Sequence, residues 1–421
     1  MIIGTKLGKS WVVYLFLTYI LIYSIGTKVI EIGLGKIGFA AIPYVRALIV
    51  ASTLFGIFMF MLIKFINRNF EIPKKDLIIV SLILYYIILT ACIGLYLGNS
   101  LLYILSDMAY VILGLMIYIV TRIGKVYIEI NMNTLNKIML ITGLCLLIVK
   151  FMGVNSLLVS IFFIHAALLT YAVFIFSFKS ILINIIPLLV LLPSLNRTAF
   201  LTLIILIGFT TFLMLLKGKV KQAFIIIFIT SFVILFASIG FSYVINNLVQ
   251  ISQWEFMSTP LGRRIYNTLI VFADNSVSKD ISIQQRLFEV KAVLDSLGNN
   301  PLKWIFGVGL GGTLDMSTSL DTSVQSAALL GEADVHNVHI LPAATVFRFG
   351  LVGLLVVTAI FFNIIKTLFK TKDPTAFVFA FAGFAIIIFS LSASSFMITE
   401  PILWLSLAVI KNTMYRNTAP L

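Results

Sequence analysis

"GEADVHNVHILPAATVFRFGLVGLLVVTAIFFNIIK", Gly331 to Lys366, turns from polar to apolar within a few residues. It opens on two acids and carries two of the chain's three histidines, His336 and His339. From Leu341 onward the only charge before Lys366 is Arg348. An apolar run of ~20 residues is long enough to cross a hydrocarbon core as a helix. The stretch therefore reads as the border between an aqueous segment and a membrane helix, with imidazole concentrated at that border.

The same kind of run recurs along the chain. Of 421 residues, 61% are hydrophobic and 11% charged, and the mean hydropathy is +1.11. A soluble domain is about a quarter charged. The alternation of a β-barrel is absent, so the composition predicts an all-α polytopic membrane protein. Cys92 and Cys145 both fall in apolar runs and read as buried packing residues, not as a disulfide or metal pair. The N-terminus has basic residues before an apolar stretch but no small-residue cleavage site, and reads as a first membrane helix.

Hydropathy predicts about twelve spans, at roughly 11–30, 42–66, 77–97, 101–121, 135–154, 156–177, 180–195, 199–216, 223–246, 338–365, 376–397 and 400–412. Membrane helices 1–9 then occupy residues 1–246 and helices 10–12 residues 338–421. With the N-terminus inside, the even-numbered connections hold Lys64, Arg68, Lys74 and Lys75, then Arg122, Lys125 and Lys137. Lys179, the Lys217–Lys219–Lys221 cluster, and Lys366, Lys370 and Lys372 continue the series. The opposite short connections are nearly bare of lysine and arginine. Basic residues collect on cytoplasmic loops, so both termini are expected in the cytoplasm, and the net charge of +14 finds its cause there without nucleic acid.

One connection, residues 247–337, is long and hydrophilic and is expected outside as a small cap with amphipathic helices. Within it "SIQQRLFEVKAVLDSLGNNP" reads as a helix whose Leu287, Val290, Leu294 and Leu297 share a face, stopped by Gly298 and Pro301. "FGVGLGG", with Gly307 and Gly309, follows as a turn, and residues 315–334 offer little to a core and read as mobile.

A metal site is poorly supported: His336 and His339 are three apart, but a catalytic zinc site takes three protein ligands and no HExxH spacing occurs. No Walker loop, dinucleotide fingerprint or serine elbow is present, and no cofactor is expected. The stronger signal is cationic. Arg46, Arg197, Arg263, Arg264, Arg286 and Arg348 fall within or outside the membrane by this topology, and the charge rule disfavours several of these positions. A phosphate or diphosphate at the outer face would explain them, because guanidinium forks match its oxygens; snorkelling or pairing with an acid is the competing explanation for each. Asp107, in the fourth span, is a candidate counter-ion for Arg197. His165 reads as a hydrogen-bonded packing residue.

In order, "LNRTAFL" around Arg197, the outer segment, "RLFEVKAVLDSLGNNPLKWIFGVGLGG" from Arg286, and "HNVHILPAATVFRFGLVG" with Gly350 and Gly353 resemble the O-antigen ligase and Wzy-type polymerase superfamily of bacterial surface-polysaccharide assembly. His336 with Asn337 matches that pattern by identity, and His339 matches it by spacing to Gly350. The resemblance implies a glycosyltransferase of the bacterial inner membrane, working without metal on a glycan carried by undecaprenyl diphosphate. It implies His336 or His339 as the group acting on the acceptor hydroxyl, and Arg197, Arg286, Arg46, Arg264 and Arg348 as diphosphate ligands. The acceptor would be a second lipid-linked repeat unit in a polymerase or lipid A–core in a ligase, and a flippase and a chain-length regulator would be partners. A transporter of lipid-linked sugars is the rival from another class; it predicts repeat symmetry between halves, which the chain does not display.

Overall fold

A computed structural model describes residues 72–122, 131–151, 159–191, 197–232, 281–315, 334–336, 338–391 and 400–416, with Gly56 and Met61 as single helical positions. The spans expected at 11–30 and 42–66, most of the ninth, the outer segment from 247 to 280, and residues 316–333, read as mobile, lie outside the described residues. The described residues are almost entirely helical: α1 (Lys74–Tyr96), α2 (Leu101–Arg122), α3 (Met132–Phe151), α4 (Val159–Phe174), α5 (Phe178–Leu191), α6 (Arg197–Leu216), α7 (Val220–Phe232), α8 (Ile281–Leu297), α9 (Pro301–Phe306), α10 (Leu341–Lys370), α11 (Pro374–Ser390) and α12 (Pro401–Arg416). Most of the expected spans in these segments coincide with one helix to within a few residues. Among the described residues α1, α2 and α10 are long and apolar enough to cross a membrane, and α7, α11 and most of α4, α5, α6 and α12 are shorter apolar helices.

The chain divides into two compact units. In the first, α11 packs against α4, α10 and α12, and α12 against α2. The sequence of α11, "PTAFVFAFAGFAIIIFS", is apolar all round, and nearly every residue of it is buried. Such a helix has no face for solvent or lipid and takes the centre of a bundle. Phe377 meets Tyr171 and Phe174, Phe384 stacks on Phe361, and Phe389 lies against Phe163. Asp373 caps its start by accepting from Ala376 N at 2.8 Å, with Pro374 in the first turn. His165 is buried in α4, 3.0 Å from the Asn184 Oδ1 of α5, and Asn184 bonds Asn136 of α3 at 3.1 Å.

Basic residues gather at one end of this unit. Asp76, next to Lys74 and Lys75, pairs with Arg122 at the far end of α2, and Arg122 bonds Asn412 near Lys411. Lys137 and Lys179 flank the Asn136–Ser180 contact, and Lys366, Lys370 and Lys372 lead into the start of α11.

The second unit holds α6, α7, α8 up to Ser296, and a two-strand antiparallel ladder, β1 (Leu314–Asp315) with β2 (Asp334–Val335), pairing Leu314 with Val335 and Asp315 with Asp334. The helix expected before Gly298 is α8, but its buried face differs. Glu289, Val293 and Leu297 are buried, while Leu287 and Leu294 are exposed. The buried line shares only Leu297 with the expected face and is otherwise displaced by one residue, about 100° around the helix, and it includes a carboxylate that accepts from Gln285 at 3.3 Å. Cys92 and Cys145 are free; contrary to expectation, Cys92 is exposed, on the outward face of α1, and Cys145 is half-buried. In a chain with this much lipid-facing area, an apolar neighbourhood in sequence does not imply a buried position.

Candidate functional site

The site lies in the first unit, where the start of α2, the segment 307–312, His336 and the first turns of α10 meet. Gly350 breaks helical geometry inside α10 with φ 61° and ψ −165°. The carbonyls just before the break accept from outside the helix: Phe347 O from Val308 N at 2.7 Å, and Phe349 O from the Tyr86 hydroxyl. Irregular backbone beside a membrane helix must be satisfied by protein in this way. A Cβ on Gly350 would collide with the backbone of Ile305 and Phe306, so glycine there lets α9 rest on α10.

The segment 307–312 is threaded through the gap. Val308 and Leu310 are buried, and Leu310 N donates to Thr90 O at 3.1 Å. Asn99, in the turn between α1 and α2, donates from Nδ2 to Val308 O at 3.0 Å and to Leu310 O at 2.9 Å. Gly309 has φ 80°, and a Cβ on it would strike the backbone of Thr90 and Gly94. The glycines of "GVGLGG" therefore serve a close approach of backbone to helix.

At the centre is Asp107. Its Oδ2 accepts from Arg348 Nε at 3.1 Å and from Gly311 N at 3.0 Å, and its Oδ1 lies 3.2 Å from His336 Nε2. Arg348 Nη2 also donates to the backbone carbonyl of His336 at 2.6 Å. His336 Nδ1 faces the Gly312 carbonyl at 3.3 Å. Arg348 Nη2 also lies 3.5 Å from His336 Nε2, so that nitrogen faces both the carboxylate and the guanidinium. Tyr103, one turn before Asp107 on α2, stacks on the imidazole with centroids 4.2 Å apart and planes 8° from parallel. Exposure rises outward: the Arg348 side chain is 1% accessible, that of His336 15%, and Tyr103 38%. A buried guanidinium thus fixes a carboxylate, the carboxylate fixes an imidazole, and an aromatic ring continues the stack to the surface. Carboxylate-held imidazoles suit proton transfer, and ionisable groups in membrane helices usually mark functional sites.

Of the residues expected to matter, the fold brings together His336, Arg348, Gly307, Gly309 and Gly350; Gly353 follows one turn later in α10. Arg348, expected among the diphosphate ligands, is committed to Asp107 and His336. His339 lies half-buried in the bend before α10. Arg197 begins α6 and Arg286 is half-buried in α8, both in the second unit. Arg46, Arg264 and Asn337 lie outside the described residues. Asp107, expected to neutralise Arg197, has His336, Arg348 and Gly311 N as its described partners. Tyr103, Asn99 and Thr90 were not anticipated; only the polarity of Asn99 in a bare turn hinted at them. Among the described residues no three of His, Cys, Asp and Glu cluster to hold a metal ion.

Comparison with protein-family models and with curated proteins finds no match for the chain.

Proposed function

We propose that the protein polymerises oligosaccharide repeat units carried on undecaprenyl diphosphate into O-antigen or capsular polysaccharide, at the outer face of the bacterial cytoplasmic membrane. In this reading about twelve spans cross the membrane, both termini are cytoplasmic, and the segment 247–337 is the outer cap. One observation carries the proposal: His336, which opens the "HNVH" element of the resemblance, is held by Asp107 and stacked by Tyr103 beside the "GVGLGG" segment of that same resemblance. The cluster also lies at the end of α1 and α2 away from the basic flank, which the positive-inside tendency assigns to the non-cytoplasmic side.

The reaction joins an acceptor hydroxyl to the first sugar carbon of the donor. His336 takes the hydroxyl proton as the new C–O bond forms; the bond from that carbon to the diphosphate breaks, and undecaprenyl diphosphate leaves with the electron pair. A hydroxyl that reaches Nδ1 takes the place of the Gly312 carbonyl, while Nε2 stays with Asp107. Arg197, Arg286, Arg46 and Arg264 bind the diphosphate as its charge grows, and Arg348 positions the Asp107–His336 pair. No metal or other cofactor enters.

Reconstitution in proteoliposomes with defined lipid-linked repeat units, with and without lipid A–core, tests this. The expected product is longer glycan on its own lipid carrier, and His336→Ala lowers its rate by ~10²–10⁴-fold at unchanged protein abundance. Transfer only to lipid A–core makes the protein a ligase. Movement of lipid-linked sugar between leaflets without growth makes it a transporter. Normal growth in His336→Ala removes the histidine from the mechanism.

A further inference from the structure

The helix α9, "PLKWIF", leaves its apolar side chains outward. Leu302 is 65% and Ile305 41% exposed, and the helix buries none of its six residues. It is nevertheless firmly held. Asn300 caps its start through Leu302 N at 3.0 Å, and Trp304 Nε1 donates to Gly298 O at 2.9 Å. Its last turn rests on Gly350, and Gly307 continues against the backbone of Phe347 and Arg348.

One helix gives its depth and a second the depth of the segment that follows it. Gly350 precedes Lys366, on the basic flank, by sixteen residues of α10, about 24 Å along a helix. Thr90, which binds the segment after α9, follows Lys75 on the same flank by fifteen residues of α1, about 23 Å. With a hydrocarbon core of ~30 Å, Gly350 places the last turn of α9, and Thr90 the segment that follows it through Leu310 N, some 6–7 Å inside the boundary opposite the basic flank. Interfacial helices rest at ~5–10 Å below that boundary. Leu351 and Leu355, the next outward residues of α10, are exposed apolar positions too, so the outward side of α9 is continuous with the face that α10 turns to lipid.

We infer that α9 is a half-immersed lipid anchor, with Leu302 and Ile305 in the acyl chains of the leaflet opposite the basic flank. The occupant of this face is bilayer lipid. The anchor joins directly to the segment that gives Gly311 N to Asp107 and Gly312 O to His336, so it holds the cluster at the level of that leaflet. The inference stands on depth and exposure and does not depend on the reaction.

The test is site-directed spin labelling of the full chain in nanodiscs of phosphatidylethanolamine and phosphatidylglycerol, with C92S and C145S removing the natural thiols. Nitroxides at Leu302→Cys, Ile305→Cys and, as a lipid-facing standard, Leu355→Cys are relaxed by molecular oxygen and by a neutral nickel chelate. Labels at 302 and 305 are expected to favour oxygen and to report ~5–10 Å below the headgroup/acyl boundary, shallower than 355. Preference for the nickel chelate at 302 and 305, with 355 still lipid-like, overturns the inference. So does shielding from both reagents, or dipolar broadening between copies, because either means that protein covers this face.

Discussion

At one end of α1 and α2, Arg122 meets Asp76; at the other, Arg348 meets Asp107. The first pair is closed. Asp76 also receives the Tyr118 hydroxyl at 3.2 Å, Arg122 reaches Asn412, and Asn412 donates to Thr121 O at 3.0 Å. Every member is on a helix, and all are buried. The second pair recruits two non-helical segments, through Gly311 N and His336, and ends on an imidazole that solvent can reach. The same two residue types thus make a tie in one place and a candidate working site in the other. Sharing the carboxylate with a titratable, partly accessible group separates them.

The largest effect on stability should come from the closed pair. Arg122→Met leaves Asp76 buried without its cation, and a broken buried pair costs ~3–5 kcal/mol. Melting in detergent and abundance in the membrane should both fall, while the proposed glycan synthesis per folded molecule is unchanged. The double change Asp76→Leu with Arg122→Met should recover most of the loss, since an apolar pair of similar volume is often neutral. Equal loss in single and double variants would mean that the pair does more than tie three helices.

Arg348→Met should cost less, about 2–3 kcal/mol, because Asp107 keeps the Gly311 N–H and His336. The proposed synthesis per folded molecule should fall at least ~10-fold, as expected if His336 is a catalytic group that loses its orientation. Arg348→Lys should not restore it: an ammonium cannot serve the Asp107 carboxylate and the His336 carbonyl with a planar fork. Full activity in Arg348→Lys would make this pair no different from Arg122–Asp76.

The contrast between the pairs also marks what the sequence could convey. The membrane helices were legible because twenty apolar residues admit few other fates, and basic flanks were legible because charge cannot hide in a run of leucine. Arg348 and Asp107 stood out as charges at membrane depth. Their partnership did not, because 241 residues separate them and only the break at Gly350 and the inserted glycine segment bring them together. Tyr103 resembled any interfacial aromatic until its stacking on His336 was placed. The face of α8 was misread because leucine spacing says which residues align, whereas its buried line runs through Glu289.

Asn99→Ala comes next in size. It strips Nδ2 from the carbonyls of Val308 and Leu310, a loss of about 1–2 kcal/mol if water replaces it poorly. Hydrogen exchange should then quicken at Val308 and Leu310 and stay unchanged at the Asp76 end. Equal quickening at both ends would show that the segment 307–312 opens only with the whole unit.

Tyr103→Leu should have the smallest effect on stability, about 0.5–1.5 kcal/mol, the worth of an aromatic contact beyond burial. Tyr103→Phe should be neutral, because the stacked ring remains. Leucine removes one wall of the imidazole without touching its contacts with Asp107 and Gly312, so the ring can tilt while the ionic pair stays intact. Synthesis per folded molecule should therefore drop in Tyr103→Leu far more than stability does, and recover in Tyr103→Phe. If Tyr103→Leu instead destabilises the protein as much as Arg348→Met, the stack is part of a rigid tie. The two ends of the α1–α2 hairpin would then differ in composition but not in kind.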